Sequence, residues 1–297
     1  MTECGKEEKF GGGIVNSSRS FTIMVKDFIV ASGADSENQL HEIHRTLVHR
    51  HVAWLTALRY QLRAERTWEN HLKLNKSNIE YRAKNLYVLE DNIPLEEAIS
   101  SYLSEEEQKK IFSKGNRASQ ILGVQSEEIK KLHQKGYIDD FRHMEIEKII
   151  VELYTLQGKS ERIKNFPYPR QFATLNFVFV WIFIILLPFG MMQEFEVVGH
   201  KILVSLSDHE VKSAILHQLQ VFVAQHFVWL SIPFSTLVSW VFFTMEAVGE
   251  NSENPFEGGP NDVPITDLSR GIEIDIRELI NDTEIPEAYT WKNNVIL

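Results

Sequence analysis

The most informative pattern along the chain is a pair of long apolar runs that contain no charged residue. The first extends from Phe172 to Met192 and the second from Leu219 to Met245. At 1.5 Å per helical residue, the first run is about 30 Å long, which matches the hydrocarbon core of a bilayer. Soluble proteins rarely bury two such runs, so the alternative of two core helices is disfavoured. We predict a transmembrane helical hairpin over 171–247, with spans at about 172–192 and 221–245.

Polar and proline residues within these runs add detail to the predicted hairpin. Gln220, Gln225 and His226 interrupt the second run, so its first third is predicted to lie at an interface or to face protein. Pro188 and Pro233 each remove a backbone hydrogen bond, so each is expected to kink its span. We interpret both as simple kinks rather than as gating elements.

The charges that flank the runs predict the orientation of the hairpin. The approach to the first run carries four basic residues between positions 159 and 170, whereas the connection at 193–218 has only Lys201 and Lys212 among several acids. Because positive charge is retained on the cytoplasmic side, the first helix is predicted to run outward and the second to return. We expect a multi-pass protein of the cell membrane, plasma or inner, with both termini in the cytoplasm and 193–218 outside.

The remainder of the chain has helical periodicity. No period-two alternation of useful length is present, so the predicted fold class is all-α. Ser104 and Glu107 match the spacing of a capping box at a helix start. We predict a cytoplasmic helical body over 1–170 and a cytoplasmic C-terminal arm over 248–297. The longer helices predicted for the body are 14–32 with Gly33 as its stop, a helix from Asp35 or Ser36 to about Arg63, and a helix from about Ile138 to Leu156.

Composition excludes some classes of function. The 31 Lys and Arg residues are outnumbered by 41 Asp and Glu residues, and the resulting net charge of −10 disfavours nucleic-acid binding. Cys4 is the only cysteine, so no intrachain disulfide can form. The first residues, MTECGKEEKFGGG, have no apolar stretch and do not match a secretory signal peptide.

Patterns for catalysis and metal binding are weak. HEIHRTLVHRH (41–51) carries four histidines, but the second follows the first one residue too early for the zincin motif, so we favour solvated or interhelical histidines. The glycines at 11–13 are not followed by the Lys-Ser/Thr of a phosphate loop. The acidic loop at 250–262 has oxygen ligands suited to calcium without the EF-hand spacing, which favours a solvated connector. We therefore predict no enzymatic activity and no catalytic, cofactor or metal site.

Four stretches of the chain, taken in order, carry a family resemblance. They are LVHRHVAWLTALRYQLR (47–63), ERIKNFPYP (161–169), LLPFG (186–190) and GENSENPFEGGPNDVPITDLSR (249–270). Together they resemble the bestrophin-like family of pentameric membrane channels, and its bacterial branch in particular. The Asn-Pro-Phe motif directly after the last span is the most specific element. The resemblance covers most of the chain from about residue 8 onward.

The resemblance implies a homopentamer that forms a funnel in membrane lipid and lets ions, chloride or other anions, permeate passively. It also implies a structural motif after the last membrane helix that turns the chain back along the cytoplasmic body. The residues of this motif are Asn254, Pro255, Phe256, Asn261 and Asp262.

An apolar aperture at the cytoplasmic exit is a further feature that the resemblance implies. Ile163 is the nearest matching position, and five copies around an axis would form a ring too narrow and too dry for hydrated ions. The alternative is that Ile163 packs between subunits as an ordinary interface residue.

The front of the chain departs from the family pattern. GKEEKFGGGIVNSSRSF (5–21) aligns just after the pore neck of the family, so we expect the first membrane helix and the neck to be absent from these 297 residues. The leading hypothesis is a subunit of a bestrophin-like ion channel. The alternative is a non-conducting, membrane-anchored helical scaffold or channel fragment.

Overall fold

The structure is a computed structural model in which the chain forms two compact units. The first unit, the body, comprises Met1–Phe166 and Asn254–Leu297, and the second, the hairpin, comprises Pro167–Glu253. The segment that was predicted as a separate arm therefore folds together with the N-terminal half. The structure describes residues 4–31, 37–65, 80, 84–85, 87–165, 170–207, 214–251, 255–256, 258–259 and 262–290.

Helices form all of the regular secondary structure in the described residues, which confirms the all-α prediction. The body holds α1–α7 and α11, and the hairpin holds α8–α10. In chain order they are α1 (Cys4–Phe28), α2 (Glu37–Arg63), α3 (Leu89–Asn92), α4 (Leu95–Ala98), α5 (Glu105–Phe112), α6 (Arg117–Gln134), α7 (Asp140–Asn165), α8 (Arg170–Ser207), α9 (Ala214–Gln225), α10 (Ser231–Asn251) and α11 (Ile265–Leu279).

Helix α2 lies at the centre of the body. Helices α1, α4, α6, α7 and α11 all pack against it. Every side chain from 50 to 59 is buried, which means that this part of α2 is covered on all sides rather than on one face. A helix buried all round must satisfy its polar side chains inside the protein. Trp54 is fully buried at the middle of this segment.

The predicted helices of the body are present, with ends that differ from the prediction. The helix predicted at 14–32 runs from Cys4 to Phe28, and the one predicted to end near Leu156 continues to Asn165. The capping box is confirmed: the Ser104 backbone N–H donates to a Glu107 carboxylate oxygen at 3.0 Å, and the Glu107 N–H donates to Ser104 Oγ at 3.4 Å. Gly33, Asp35 and Ser36 lie outside the described residues.

The hairpin consists of apolar helices that differ in length from the predicted spans. Helix α8 has 38 residues, about 57 Å at the helical rise, and its apolar part is Leu175–Leu206. On the return, α9 ends at Gln225 and a 3₁₀ turn, Phe227–Leu230, leads into α10. The second apolar stretch is therefore Phe227–Gly249, which begins later than the predicted span.

The two prolines of the hairpin behave differently. Helix α8 continues through Pro188 without interruption. Pro233 lies in the first turn of α10, where a missing N–H costs no intrahelical hydrogen bond. The helical segment that returns across the hairpin, from α9 to α10, is interrupted at His226 instead. The kink expected at Pro233 is therefore replaced by a break seven residues upstream.

The outward faces of the hairpin helices are apolar and exposed. In the most apolar 18 residues of each stretch, 0% and 11% of the residues are buried. Core helices of a soluble protein would instead be mostly buried. Aromatic pairs such as Phe183–Phe242 and Phe195–Phe227 hold the helices together, with ring centroids 4.6 and 5.6 Å apart. This exposure is what a bilayer, rather than water, accommodates. The alternative of two soluble core helices is thereby disfavoured.

The buried His51 makes the stability of the protein sensitive to acid. Its Nε2 lies 2.9 Å from Ser18 Oγ, and complete burial lowers the pKa of His51 to about 3. Because an unfolded histidine has a pKa near 6.5, the unfolded chain takes up the proton first as the pH falls. The stability contributed by neutral His51 is therefore present above about pH 6.5 and is lost between about pH 6.5 and 3.

We predict that His51→Phe reduces the acid sensitivity of unfolding. Between pH 7 and pH 5, the wild type should lose about 2 kcal/mol more of its free energy of unfolding than the variant does. Thermal unfolding in mild detergent at a series of pH values measures this difference. His41→Phe is the matched control, because His41 is exposed and lies on the same helix. An unchanged pH dependence in His51→Phe would show that His51 is not the titrating group.

Candidate functional site

Polar and aromatic contacts set the register of the two long hairpin helices. Asn176 Nδ2, near the start of α8, donates to the carboxylate of Glu246, near the end of α10. Farther along, the ring of Trp181 meets Phe243 edge to face at a centroid distance of 6.3 Å. The pair satisfies two polar groups at the end of the hairpin where α8 begins and α10 ends.

The polar residues predicted to interrupt the second span lie outside it. Gln220 and Gln225 belong to α9 and are exposed, and His226 follows at the break. The Nδ1 of His226 makes a hydrogen bond with the Phe222 carbonyl oxygen at 2.9 Å. The apolar helix after the break, Phe227–Gly249, has no residue of this polar group.

The segment after α10 turns sharply against the body. Pro255 and Phe256 are buried, and the Val263 N–H donates to the Pro255 carbonyl oxygen at 3.0 Å, which closes a loop between them. Gly258 has a φ of 86°, a left-handed conformation that glycine adopts at little cost. The Gly259 N–H donates to Asp262 Oδ2 at 2.6 Å. Asn254 and Asn261, also predicted as part of this motif, lie outside the described residues.

A buried ionic cluster lies beneath this turn. Arg59 Nε is 2.6 Å from Glu90 Oε1, and Arg63 Nη1 donates to the Phe256 carbonyl oxygen at 3.0 Å. Thr266 of α11 donates its hydroxyl hydrogen to Glu90 Oε1 at 2.8 Å. The side chains of Arg59, Arg63 and Glu90 are 7%, 3% and 3% exposed. The cluster therefore joins α2, α3, α11 and the turn after α10 through charges that water does not reach.

Burial shifts the protonation equilibrium of Arg63 in this cluster. Desolvation lowers the pKa of the Arg63 guanidinium, and the carboxylates of Glu90 and Asp262 oppose that effect. The space around Gly258 also excludes a side chain, because a Cβ there would lie 3.0 Å from Val88 Cγ2 and 3.1 Å from Arg63 Nη1. Glycine is thus required at 258 by its conformation and by the close approach of Arg63.

A second polar network attaches α11 to the rest of the body. The Tyr102 hydroxyl donates to Glu273 Oε1 at 2.7 Å, and Arg277 bridges Glu273 and Asp282 at 3.1 and 2.9 Å. Burial and the neighbouring Glu273 carboxylate raise the pKa of Tyr102 to about 12, so its hydroxyl remains a donor at physiological pH. His49 Nε2 of α2 lies 2.8 Å from Asp282.

Sequence reasoning missed both networks. The sequence carries a signal for the first of them, which is the presence of Arg59 and Arg63 on the apolar stripe of α2, beside Leu58 and Leu62. Charged residues at core positions of a helix imply buried partners of opposite charge. The identity of those partners could not be read from the sequence, because Glu90 and Phe256 are distant from α2 along the chain.

Ile163 packs within the body. Its side chain is half-buried against the hydrophobic core and lines a cleft of about 70 Å³ together with Leu58, Phe256 and Leu268. These contacts are all made within one subunit. The role of Ile163 at an aperture stays a prediction.

Three of the four histidines of 41–51 make contacts away from their own helix, and that of His51 with Ser18 of α1 is interhelical. His44 Nε2 is 3.1 Å from the Ile29 carbonyl oxygen, while His49 and His51 reach Asp282 and Ser18 as described above. Among the residues that the structure describes, no three His, Cys, Asp or Glu side chains come together as a metal site would require.

An all-helical body joined to an exposed apolar hairpin defines a class of integral membrane proteins. Within that class, the family described as Bacterial/Fungal Bestrophin protein matches residues 8–207 and 216–278, which together form most of the chain. The chain therefore belongs to the bestrophin family of bacteria and fungi. The family resemblance seen in the sequence is thus confirmed.

Similar proteins include voltage-dependent anion channel-forming proteins. The protein of this name from Escherichia coli K12, YneE, is 22% identical to this chain over 193 residues, and YneE of Salmonella typhi is 23% identical. Each alignment covers 65% of this chain and 53% of the relative. The chain therefore spans about half the length of these relatives.

Solved structures share the fold. A bacterial bestrophin homologue from Klebsiella pneumoniae matches with a TM-score of 0.64 at 19% identity, over 94% of this chain and 78% of the homologue. A further crystal structure, of a membrane protein, matches with a TM-score of 0.63 at 17% identity, over 92% of this chain and 77% of the other. At these identities the similarity shows a common fold.

We predict that Glu90→Gln destabilises the body by about 3 kcal/mol, because it leaves Arg59 buried without a counter-charge and Arg63 with only the carboxylate of Asp262. Glutamine retains the size of the side chain and can still accept the hydrogen bond from Thr266, so the loss reports on charge. Thermal unfolding in detergent measures the effect. Glu127→Gln is the control, since the Glu127–Lys110 pair is exposed and should leave the midpoint nearly unchanged. Equal midpoints for both variants would contradict the prediction.

Proposed function

We propose that this chain is a subunit of a membrane channel that conducts chloride or other anions by passive permeation. The observation that carries the proposal is the family match, which runs without a break through the exposed apolar helix α8 and resumes through α10. The names of the E. coli and Salmonella relatives, anion channel-forming proteins, support the choice of anions. Permeation requires a pathway rather than reacting groups, and the buried charges of the body are engaged in structural contacts.

Reconstitution tests this function. The purified chain is placed in liposomes that contain a chloride-sensitive dye, with valinomycin present to balance charge. We expect chloride flux several-fold above that of empty liposomes, and little flux when gluconate replaces chloride. In planar-bilayer recording under a potassium chloride gradient, the reversal potential should have the same sign as the equilibrium potential of chloride.

Two results would contradict the proposal in different ways. A reversal potential close to that of potassium would retain the channel and reject anion selectivity. Absence of flux for chloride and for potassium, from protein that is folded and oligomeric in the same liposomes, would favour the non-conducting scaffold.

The proposed topology places both termini in the cytoplasm and 193–218 outside, as the flanking charges predict. We predict that single cysteines at the two locations react with a membrane-impermeant maleimide from opposite sides. Lys201→Cys and Lys148→Cys, each in a Cys4→Ser background, are suitable because both lysines are exposed. A probe at Gly199 is unsuitable, since its Cβ would lie 2.8 Å from the Ala224 carbonyl oxygen. Reaction of both cysteines from one side of sealed vesicles is incompatible with this topology.

The proposed assembly is a homopentamer, and a monomeric mass in mild detergent would count against it. Within that assembly, an apolar aperture at Ile163 predicts that Ile163→Ala raises conductance or alters selectivity. Leu268→Ala is the matched control, because Leu268 is also half-buried and lines the same cleft. Both variants should lower the unfolding midpoint through lost packing, and only Ile163→Ala should change the current. Unchanged currents from an intact Ile163→Ala oligomer assign Ile163 to packing.

A further inference from the structure

The cleft beside Ile163 enters the body where α1, α2, α7, α11 and the turn after α10 meet. Its volume is about 70 Å³. Buried residues of α2 and α11, among them Leu58, Leu62 and Ile272, form its floor, and half-buried residues such as Ile14 and Leu268 form its rim. A site for one water needs only about 10–15 Å³, so the cleft is several times larger than an ordinary packing gap.

The cleft owes part of its volume to Gly11 of α1. A Cβ at position 11 would lie 3.7 Å from Leu268 Cδ1, which is an ordinary van der Waals contact. Gly11 belongs to the continuous helix α1, and alanine is more favourable than glycine within a helix. Neither the backbone nor a neighbouring atom therefore requires glycine at position 11, and a side chain there would take up space in the cleft.

The volume and the walls of the cleft define the size of its ligand. Most of the lining side chains are apolar, so water would make few hydrogen bonds there. A small apolar group would instead gain dispersion contacts on all sides. Benzene occupies an apolar cavity of about 150 Å³, so a cleft of half that volume suits a molecule of about three to five non-hydrogen atoms.

The ionic groups beside the cleft favour a neutral ligand. Arg59 lines the cleft, and its Nε lies 2.6 Å from Glu90 Oε1. The carboxylates of Glu90 and Asp262 compensate the charge of the neighbouring Arg63. Two guanidinium groups thus face two carboxylates, so a charged ligand would add an uncompensated charge to a buried cluster.

Ser160 of α7 supplies a hydrogen-bond acceptor within the cleft. Its side chain lines the cleft and the residue is 3% exposed. The Ser160 hydroxyl donates its hydrogen to the Leu156 carbonyl oxygen at 3.0 Å, so only its oxygen lone pairs face a ligand. A ligand that carries one donor, such as a hydroxyl group, matches this acceptor.

We propose that the cleft is a binding site for a small neutral alcohol. An alkyl part of two or three carbons lies against the apolar floor, and the hydroxyl group donates to Ser160 Oγ. The site goes beyond the proposed channel function and does not depend on ion permeation. A ligand of about four non-hydrogen atoms can bind only weakly, so we expect a Kd of about 0.1–10 mM.

Fluorine NMR with 2-fluoroethanol tests the site on the full chain in lipid nanodiscs. We expect the fluorine signal to broaden beyond its width with protein-free nanodiscs, and excess 1-propanol to reverse the broadening. Gly11→Leu fills the cleft and should lower the excess broadening at least fivefold. Gly12→Leu is the matched control and should retain it, because Gly12 is exposed and a Cβ there has no atom within 4 Å.

A second variant tests the hydrogen bond to the ligand. Ser160→Ala should weaken the binding of 2-fluoroethanol several-fold and leave the binding of xenon, measured by xenon NMR, near the wild-type value. Xenon has no donor, so it reports on the apolar part of the cleft alone. Equal binding of 2-fluoroethanol by the wild type and by Ser160→Ala would overturn the assignment of an alcohol.

Two results of the fluorine experiment overturn the site as a whole. The first is the absence of excess broadening with the wild type, which a lipid chain or a neighbouring subunit seated in the cleft would also produce. The second is equal broadening in Gly11→Leu and Gly12→Leu, which would place the probe elsewhere. Should Gly11→Leu fail to fold, Ser269→Leu fills the same cleft from α11 and is expected to give the same loss.

Discussion

The body depends on the complete burial of the middle of α2. A helix covered on all sides cannot leave polar side chains to water, so each must meet a partner on a neighbouring element. These partners fix the positions of α1, α3, α5, α7 and the turn before α11 relative to α2, because a hydrogen bond tolerates far less displacement than an apolar contact. The pairs are His44 with the Ile29 carbonyl, Arg50 with Glu107, His51 with Ser18, Trp54 with Gln157, Arg59 with Glu90 and Arg63 with the Phe256 carbonyl.

This constraint explains why the segment after the hairpin belongs to the body. The apolar contacts of α11 alone, through Ile272 and Ile276, would permit several registers along α2 and α1. Glu273 receives Tyr102 and Arg277, while Arg63 holds the turn that precedes α11. A change in register would leave these charges buried and unpaired, which costs several kcal/mol for each. The turn and α11 are consequently held at both ends.

Prediction from the sequence succeeded where one periodicity dominated. The apolar stripe of α2 and the uncharged run before Glu194 each predicted a helix correctly, and the Ser104–Glu107 spacing predicted where a helix starts. Helix ends were less accurate, as at Asn165, because tertiary packing extends a helix beyond its apolar pattern. The kink expected at Pro233 is absent and the helix breaks at His226 instead, because the continuous apolar run does not reveal that a new helix begins at Ser231 and places Pro233 in its first turn. The ionic cluster at Glu90 depends on long-range contacts that no local pattern encodes.

The division of the body into two stretches of sequence has a consequence for biosynthesis. The bonds Arg63–Phe256, His49–Asp282 and Arg19–Asp275 join residues 193, 233 and 256 positions apart. None can form until the ribosome has made the whole hairpin, and the last two also require the C-terminal segment as far as Asp282 and Asp275. Until then, Arg63 and His49 lack these partners and the nascent body is held in an open, incompletely packed form. The hairpin helices are thus complete before the body can close, and a chain that stops short of α11 leaves the body incompletely packed and exposed to proteolysis.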